Sequence, residues 1–143
     1  LMAQPMIGTD DQEYTVAIFG DGAGHVCSTI TLRRRLAIDG STAKAWVDKH
    51  TILDQVVTQL CSHFKPIGPT NLQFRRCNDK WQLLEINPRI SSTLSLRSAF
   101  GYNEAAMCVD FYLNNKKITQ PIVKKGFAIR YIEDYIIYDR DNF

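Results

Sequence analysis

Two short apolar segments, Asn71 to Cys77 and Trp81 to Asn87, flank Asn78-Asp79-Lys80, and no other feature restricts the fold of this chain more. Asn and Asp favour a turn, so segments this close together fold back on each other as an antiparallel hairpin. The register follows from the apolar side chains, because slipping by one residue would turn every core side chain outward. Pairing Phe74 with Leu84 and Leu72 with Ile86 puts all four on one buried face. The other face then sets Gln73 against Glu85 and Asn71 against Asn87, four oxygen-bearing side chains whose facing β-carbons lie about 5 Å apart.

The rest of the chain extends the sheet and adds helices. Glu13 to Gly20 alternates, with Tyr14, Val16 and Ile18 on one side and Thr15, Ala17 and Phe19 on the other, as a strand requires. Asp21-Gly22-Ala23-Gly24 reads as a turn, and the β-branched run His25 to Leu32 returns as the antiparallel partner. A shorter strand is expected around Ala43 to Val47. From Lys49 to Phe64 the spacing is helical, with Ile52, Val56, Leu60 and Phe64 four apart and Leu53 and Val57 beside them. Thr51-Ile52-Leu53-Asp54 resembles a capping box, and Pro66 and Gly68 close the segment. Leu94 to Phe100 and Glu104 to Leu113 read as helices, and Phe127 to Tyr138 as one or two closing strands. No repeat or linker interrupts the sequence. The expectation is therefore one α+β domain over 1–143, a mainly antiparallel sheet with flanking helices, with its core over about 4–113 and a closing segment over 114–143.

Composition narrows the function classes. A formal net charge of +2 over 143 residues falls short of the basic bias that marks nucleic acid as a main partner. No apolar run reaches the roughly 18 residues that cross a bilayer, and the first residues lack the pattern of a signal peptide, so a cytoplasmic protein without a membrane partner is expected. The four cysteines form no CxxC pair and read as buried free thiols. His25, His50 and His63 form no triad with a Ser or Cys.

The polar face of the hairpin has a chemical use. Mg²⁺ takes oxygen ligands and usually sits between one or two carboxylates and the phosphates of a nucleotide. Glu85 can supply the carboxylate, and Asn87 and Gln73 neutral carbonyl oxygens. Pro88 biases Asn87 toward extended backbone, and Arg89 offers a guanidinium suited to phosphate oxygens. From spacing alone, an ordinary solvated face is the more frequent reading of such a hairpin.

The segments Gly68-Pro69-Thr70-Asn71-Leu72-Gln73-Phe74 and Leu84-Glu85-Ile86-Asn87-Pro88-Arg89 resemble the closing motif of the ATP-grasp superfamily, most closely the ATP-binding domains of the carbamoyl-phosphate synthase large chain. Gly8-Thr9-Asp10-Asp11-Gln12-Glu13-Tyr14-Thr15-Val16 is similar to the strand that follows the adenine-binding hinge of that family. The resemblance spans about Gln4 to Leu113. It implies ATP and Mg²⁺, with Mn²⁺ as an alternative metal. Gln73, Glu85 and Asn87 match metal ligands, Arg89 a phosphate-contacting arginine, Glu13 an acidic residue that holds the ribose, and Gln4 and Met6 the hinge that touches adenine. Two departures stand out: Gln4 replaces a commonly acidic residue, and Ser92 stands where carbamoyl-phosphate synthases tend to have another arginine. The chain starts at the hinge, so a fragment is expected, whose partner is the remainder of the enzyme N-terminal to it.

The activity so implied is that of an ATP-dependent ligase. A small-molecule carboxylate is phosphorylated to an acyl-phosphate, and an amine or other nucleophile displaces phosphate. The fragment alone is expected to be inactive. A non-catalytic nucleotide-binding module is the alternative. Arg33-Arg34-Arg35 and Arg75-Arg76 raise RNA as a partner, but a solvated strand edge is the better reading and no nucleic acid is expected. Glu104 falls outside the motif, at the start of a predicted helix, so a change there should leave turnover intact.

Overall fold

The computed structural model describes residues 3, 5–131, 133 and 136. A 3-10 turn, Asp10–Gln12, leads into β1 (Glu13–Asp21), β2 (Val26–Leu36) and β3 (Thr42–Val47). After these come α1 (Thr51–Phe64), β4 (Ile67–Cys77), β5 (Lys80–Asn87), α2 (Leu94–Ala99) and α3 (Glu104–Cys108). A wider π turn, Val109–Leu113, continues α3, and β6 (Phe127–Ile129) closes the sheet. All pairings are antiparallel, in the order β5-β4-β1-β2-β3-β6. The expected α+β architecture is what forms. Of the closing strands expected over Phe127 to Tyr138, three residues form β6, and most of the remainder lies outside the described residues.

β1 is buried on both faces, which its continuous apolar alternation allows. On one face Tyr14, Val16 and Ile18 join Leu72 and Phe74 beneath α1. On the other, Ala17 meets Ile30, Leu32 and Ala45 under Phe100 and Tyr102, from the segment between α2 and α3. The buried stripe of α1 is Leu53, Val57 and Cys61, one residue away from the expected Ile52 to Phe64 row, whose two ends are exposed. The two rows are adjacent on the helix, and the sheet buries the Leu53 row while Val56 and Leu60 of the other row pack partly buried beside it. The capping box does not form, since His50 occupies the cap position and no side chain caps the helix. At the other end Lys65 adopts left-handed backbone, φ 47°, and returns its N–H to the Cys61 carbonyl.

The two connections next to the sheet depend on local chemistry. Gly22 and Gly24 have positive φ, as the β1–β2 turn demands, and Asp21 fastens it by accepting from the Ala23 and His25 N–H groups at 2.7 and 3.1 Å. β3 pairs only with Leu32 to Leu36 of β2, so the outward backbone of Thr29 lacks a strand partner. The Gln120 side-chain amide fills that place. Its Oε1 accepts from the Thr29 N–H at 2.8 Å, and its Nε2 donates to the Thr29 carbonyl at 3.0 Å.

Candidate functional site

The β4–β5 hairpin pairs Asn71 with Asn87, Leu72 with Ile86, and Gln73 with Glu85, as the apolar pattern requires. Beyond Gln73 the ladder differs from expectation. Phe74 faces Leu83 rather than Leu84, and the turn is the two-residue Asn78-Asp79 rather than three residues. Both turn residues have positive φ, 48° and 59°, the conformation that fits two-residue hairpins and that Asn and Asp tolerate. Leu84 is then an extra residue bulged out of β5, and both it and Leu83 are exposed. The bulge has a chemical consequence. Without it, a two-residue turn would set Gln73 opposite Leu84 and send Glu85 to the other face.

One strand further along lies Glu13, whose side chain is only 3% exposed and whose two oxygens are both taken by arginines. Arg34 of β2 donates to Oε1 at 2.8 Å and Arg75 of β4 to Oε2 at 2.5 Å. Arg34 also donates to Gln73 Oε1, so one guanidinium ties together two of the expected site residues. Arg75 reaches the Ile7 carbonyl at 3.0 Å and thereby anchors the segment that carries Met6. Met6 itself is 70% exposed, and Gln4 lies outside the described residues. Arg89 is exposed, and among the described residues its one acceptor is the carbonyl of Ile90.

Asn71 departs from the expected patch. It is buried, and its Oδ1 accepts from Thr15 Oγ1 at 2.6 Å and from Arg97 Nη2 at 2.5 Å. Arg97 also donates to Thr15 Oγ1 and, through Nη1, pairs with Glu104 at 3.0 Å, with both charged side chains fully buried. Burial lowers the Arg97 pKa, and the Glu104 carboxylate opposes that shift. Glu104, expected to stand apart from the site, is joined to it through Arg97 and Asn71. On the same sheet face, beside Gln73, Glu85 and Asn87, the four side chains of Thr15, Asn71, Arg97 and Glu104 form a buried polar network in which Arg97 Nε has no partner among the described residues.

Arg34, Arg75, Arg97 and Glu104 were missed from the sequence as members of this arrangement. Strand alternation could have placed Arg34 on the face of Glu13. The edge-strand reading of the arginines does not hold either, because β2 and β4 are interior strands. Arg76 is occupied separately, by Asp79 at 2.7 Å and by the face of Trp81 at 5.7 Å.

The donor set can be tested against a cation. Among the described residues no three His, Cys, Asp or Glu side chains gather as a metal cage, and Glu85 makes no side-chain hydrogen bond or ion pair. The Asn87 Nδ2 atom is buried and has no partner among the described residues. One unpaired carboxylate with two amide carbonyls, of which that of Gln73 already accepts from Arg34, is a hard, all-oxygen set. It suits Mg²⁺ or Mn²⁺ shared with phosphate oxygens, and not a thiolate- or imidazole-loving metal.

A sequence model of the family described as "ATP-grasp in the biosynthetic pathway with Ter operon" matches residues 1–135. No curated protein matches the chain. Among solved structures, the phosphoribosylaminoimidazole carboxylase ATPase subunit from Aquifex aeolicus superposes with a TM-score of 0.61 at 13% identity, over 84% of this chain and 38% of that one. The N5-carboxyaminoimidazole ribonucleotide synthetase from Thermus thermophilus gives 0.60 at 12% identity, over 81% and 34%. The urea carboxylase from Kluyveromyces lactis gives 0.61 at 14%, over 80% and 11%. At such identities the likeness is one of fold, and the chain spans well under half of each neighbour.

Proposed function

This chain belongs to the ATP-grasp family, and on that premise we propose that its polar sheet face supplies the Mg²⁺-ATP half of a carboxylate-activating ligase. The observation that carries this reading is the placement of Glu85 opposite Gln73, with Asn87 two residues on and Glu13 one strand from Gln73. Gln73, Glu85 and Asn87 hold the metal, Glu13 faces the ribose, Gln4 and Met6 border the adenine, and Arg89 contacts phosphate. Bound there, the metal supplies charge neutralisation to the phosphates.

The residues of the chain contribute positioning. Arg34 and Arg75 fix the Glu13 carboxylate, and Arg34 steadies the Gln73 amide beside Glu85. Arg89, which among the described residues donates to one neighbouring carbonyl, turns onto a phosphate oxygen. The reaction is transfer of the terminal phosphoryl group to a small-molecule carboxylate, followed by attack of an amine or other nucleophile on the acyl-phosphate. The motif resemblance to carbamoyl-phosphate synthases supports this class, with Ser92 as the departure. The remaining phosphate-clamping groups come from outside these residues.

The test is Glu85→Gln in the intact protein, measured as substrate-dependent ADP release against Mg²⁺ concentration. The change keeps the shape and removes the one carboxylate that the described residues would offer the metal. Turnover should fall by about a hundredfold or more. The melting temperature should hold, because Glu85 is exposed. Asp79→Asn, on the turn of the same hairpin, is the control and should keep parental turnover. Parental turnover of Glu85→Gln at limiting Mg²⁺ would return the hairpin face to a merely solvated one.

A further inference from the structure

The arginine run of β2 is divided by strand alternation. Arg34 faces Glu13, whereas Arg33 and Arg35 pair with Trp46 and Lys44 on the opposite face of the sheet. There a cleft of about 620 Å³ opens among Arg33, Arg35, Lys44, Trp46 and Phe127.

Its chemistry is unbalanced in one direction. Arg35 and Lys44 are direct cross-strand partners, and like charges so placed disfavour their own pairing unless an anion joins them. Neither has an ion-pair partner among the described residues. Of the other charges of the lining, Arg33 pairs with Asp11 at 3.3 Å and Asp48 lies 3.1 Å from the His50 ring, so three cations face two carboxylates and the cleft keeps a positive excess. Beside the two cations, the cross-strand partners Trp46 and Phe127 form an aromatic wall, with ring centroids 4.8 Å apart and planes tilted by 32°. Phe127 is 47% exposed, so the wall is open to a ligand.

We propose that this cleft is a second ligand site, on the face of the sheet opposite the nucleotide site, and that it takes a small phosphate ester carrying a planar ring. The Arg35 guanidinium gives paired N–H donors to phosphate oxygens and Lys44 a compact charge, while the ring lies against Trp46 and Phe127. The volume falls within the roughly 300–1,000 Å³ of small-molecule pockets. A nucleic-acid strand fits less well. It needs a continuous basic track, and here Asp11 and Asp48 bracket the patch in a chain of net charge +2.

Phenyl phosphate is the probe, titrated into the ¹⁵N-labelled intact protein. The reporter is the indole N–H signal of Trp46, assigned with Trp46→Phe, and Trp81 serves as internal reference. A saturable shift of Trp46 is expected, with inorganic phosphate binding more weakly for want of a ring. Arg35→Gln with Lys44→Gln should weaken phenyl phosphate about tenfold or more while melting no lower than the parent, since like-charge repulsion is relieved. Glu85→Gln should leave this titration unchanged, which separates failure of this site from failure of the nucleotide site. Absence of a saturable Trp46 shift would overturn the proposal, as would undiminished binding by the double variant. So would a single-stranded oligonucleotide that binds more tightly than phenyl phosphate with a steep salt dependence.

Discussion

Glu104 shows what a single residue can conceal from the sequence. It opens α3 with a cap already supplied by Asn103, whose side chain accepts from the Ala106 N–H, so a helix-starting acid was the natural reading. Its partner Arg97 lies seven residues earlier, across the turn between α2 and α3, and also bonds Thr15 of β1 and Asn71 of β4. No periodicity links those four positions, and only the folded sheet brings them together. Removing one member of a fully buried ion pair leaves the other charge uncompensated. Glu104→Ala should therefore lower the unfolding free energy by about 3–5 kcal/mol, measured by denaturant titration with an unchanged slope. A loss within a few tenths of a kcal/mol would mean that Arg97 is solvated instead. Arg34 was hidden for a different reason. A run of three arginines reads as one charged block, although the strand sends its members to opposite faces.

At the scale of elements, the alternation of β1, the helical spacing of α1 and the hairpin were all legible, because each rests on short-range periodicity. The register from Asn71 to Gln73 was legible too, since apolar faces fix it. The bulge at Leu84 was not. Its signal lies in the preference of Asn78-Asp79 for a two-residue turn, which conflicts by one residue with the apolar pairing further along, and the strand absorbs the conflict. The β1–β2 turn offers a pH test at the same scale. The hydrogen bond from His25, at 2.7 Å, and then the Ala23 N–H, hold the Asp21 carboxyl down at about 2. A carboxyl depressed in the folded state stabilises fully above its ordinary pKa, and that stabilisation is lost as pH falls through the folded value. The melting temperature of the parent should thus exceed that of Asp21→Asn at pH above about 4, and the gap should close as pH approaches 2. A gap independent of pH across that range would contradict the assignment.

For the whole molecule, the sheet separates two chemistries. One face carries Glu13, Gln73, Glu85 and Asn87, and the other α1 together with the Arg35–Lys44 cleft. This division follows from the two-residue period of strands, so it was implicit in the sequence. The order β5-β4-β1-β2-β3-β6 was not, because it depends on long connections that bring the last strand back beside β3. The segment between α3 and β6 makes that return, and on the way Gln120 reaches the open stretch of β2.

That contact bears on how the protein behaves in a crowded solution. An unpaired N–H and carbonyl on a strand form a template to which a strand from another molecule can add, and the Gln120 amide presents the same donor and acceptor as a peptide group. It acts as a one-residue stopper against such growth. Gln120→Leu leaves the fold's core untouched but uncovers Thr29, so light scattering should rise with concentration and incubation time in the variant and stay flat in the parent. Equal scattering from the two proteins would show that something other than this amide keeps the edge from propagating.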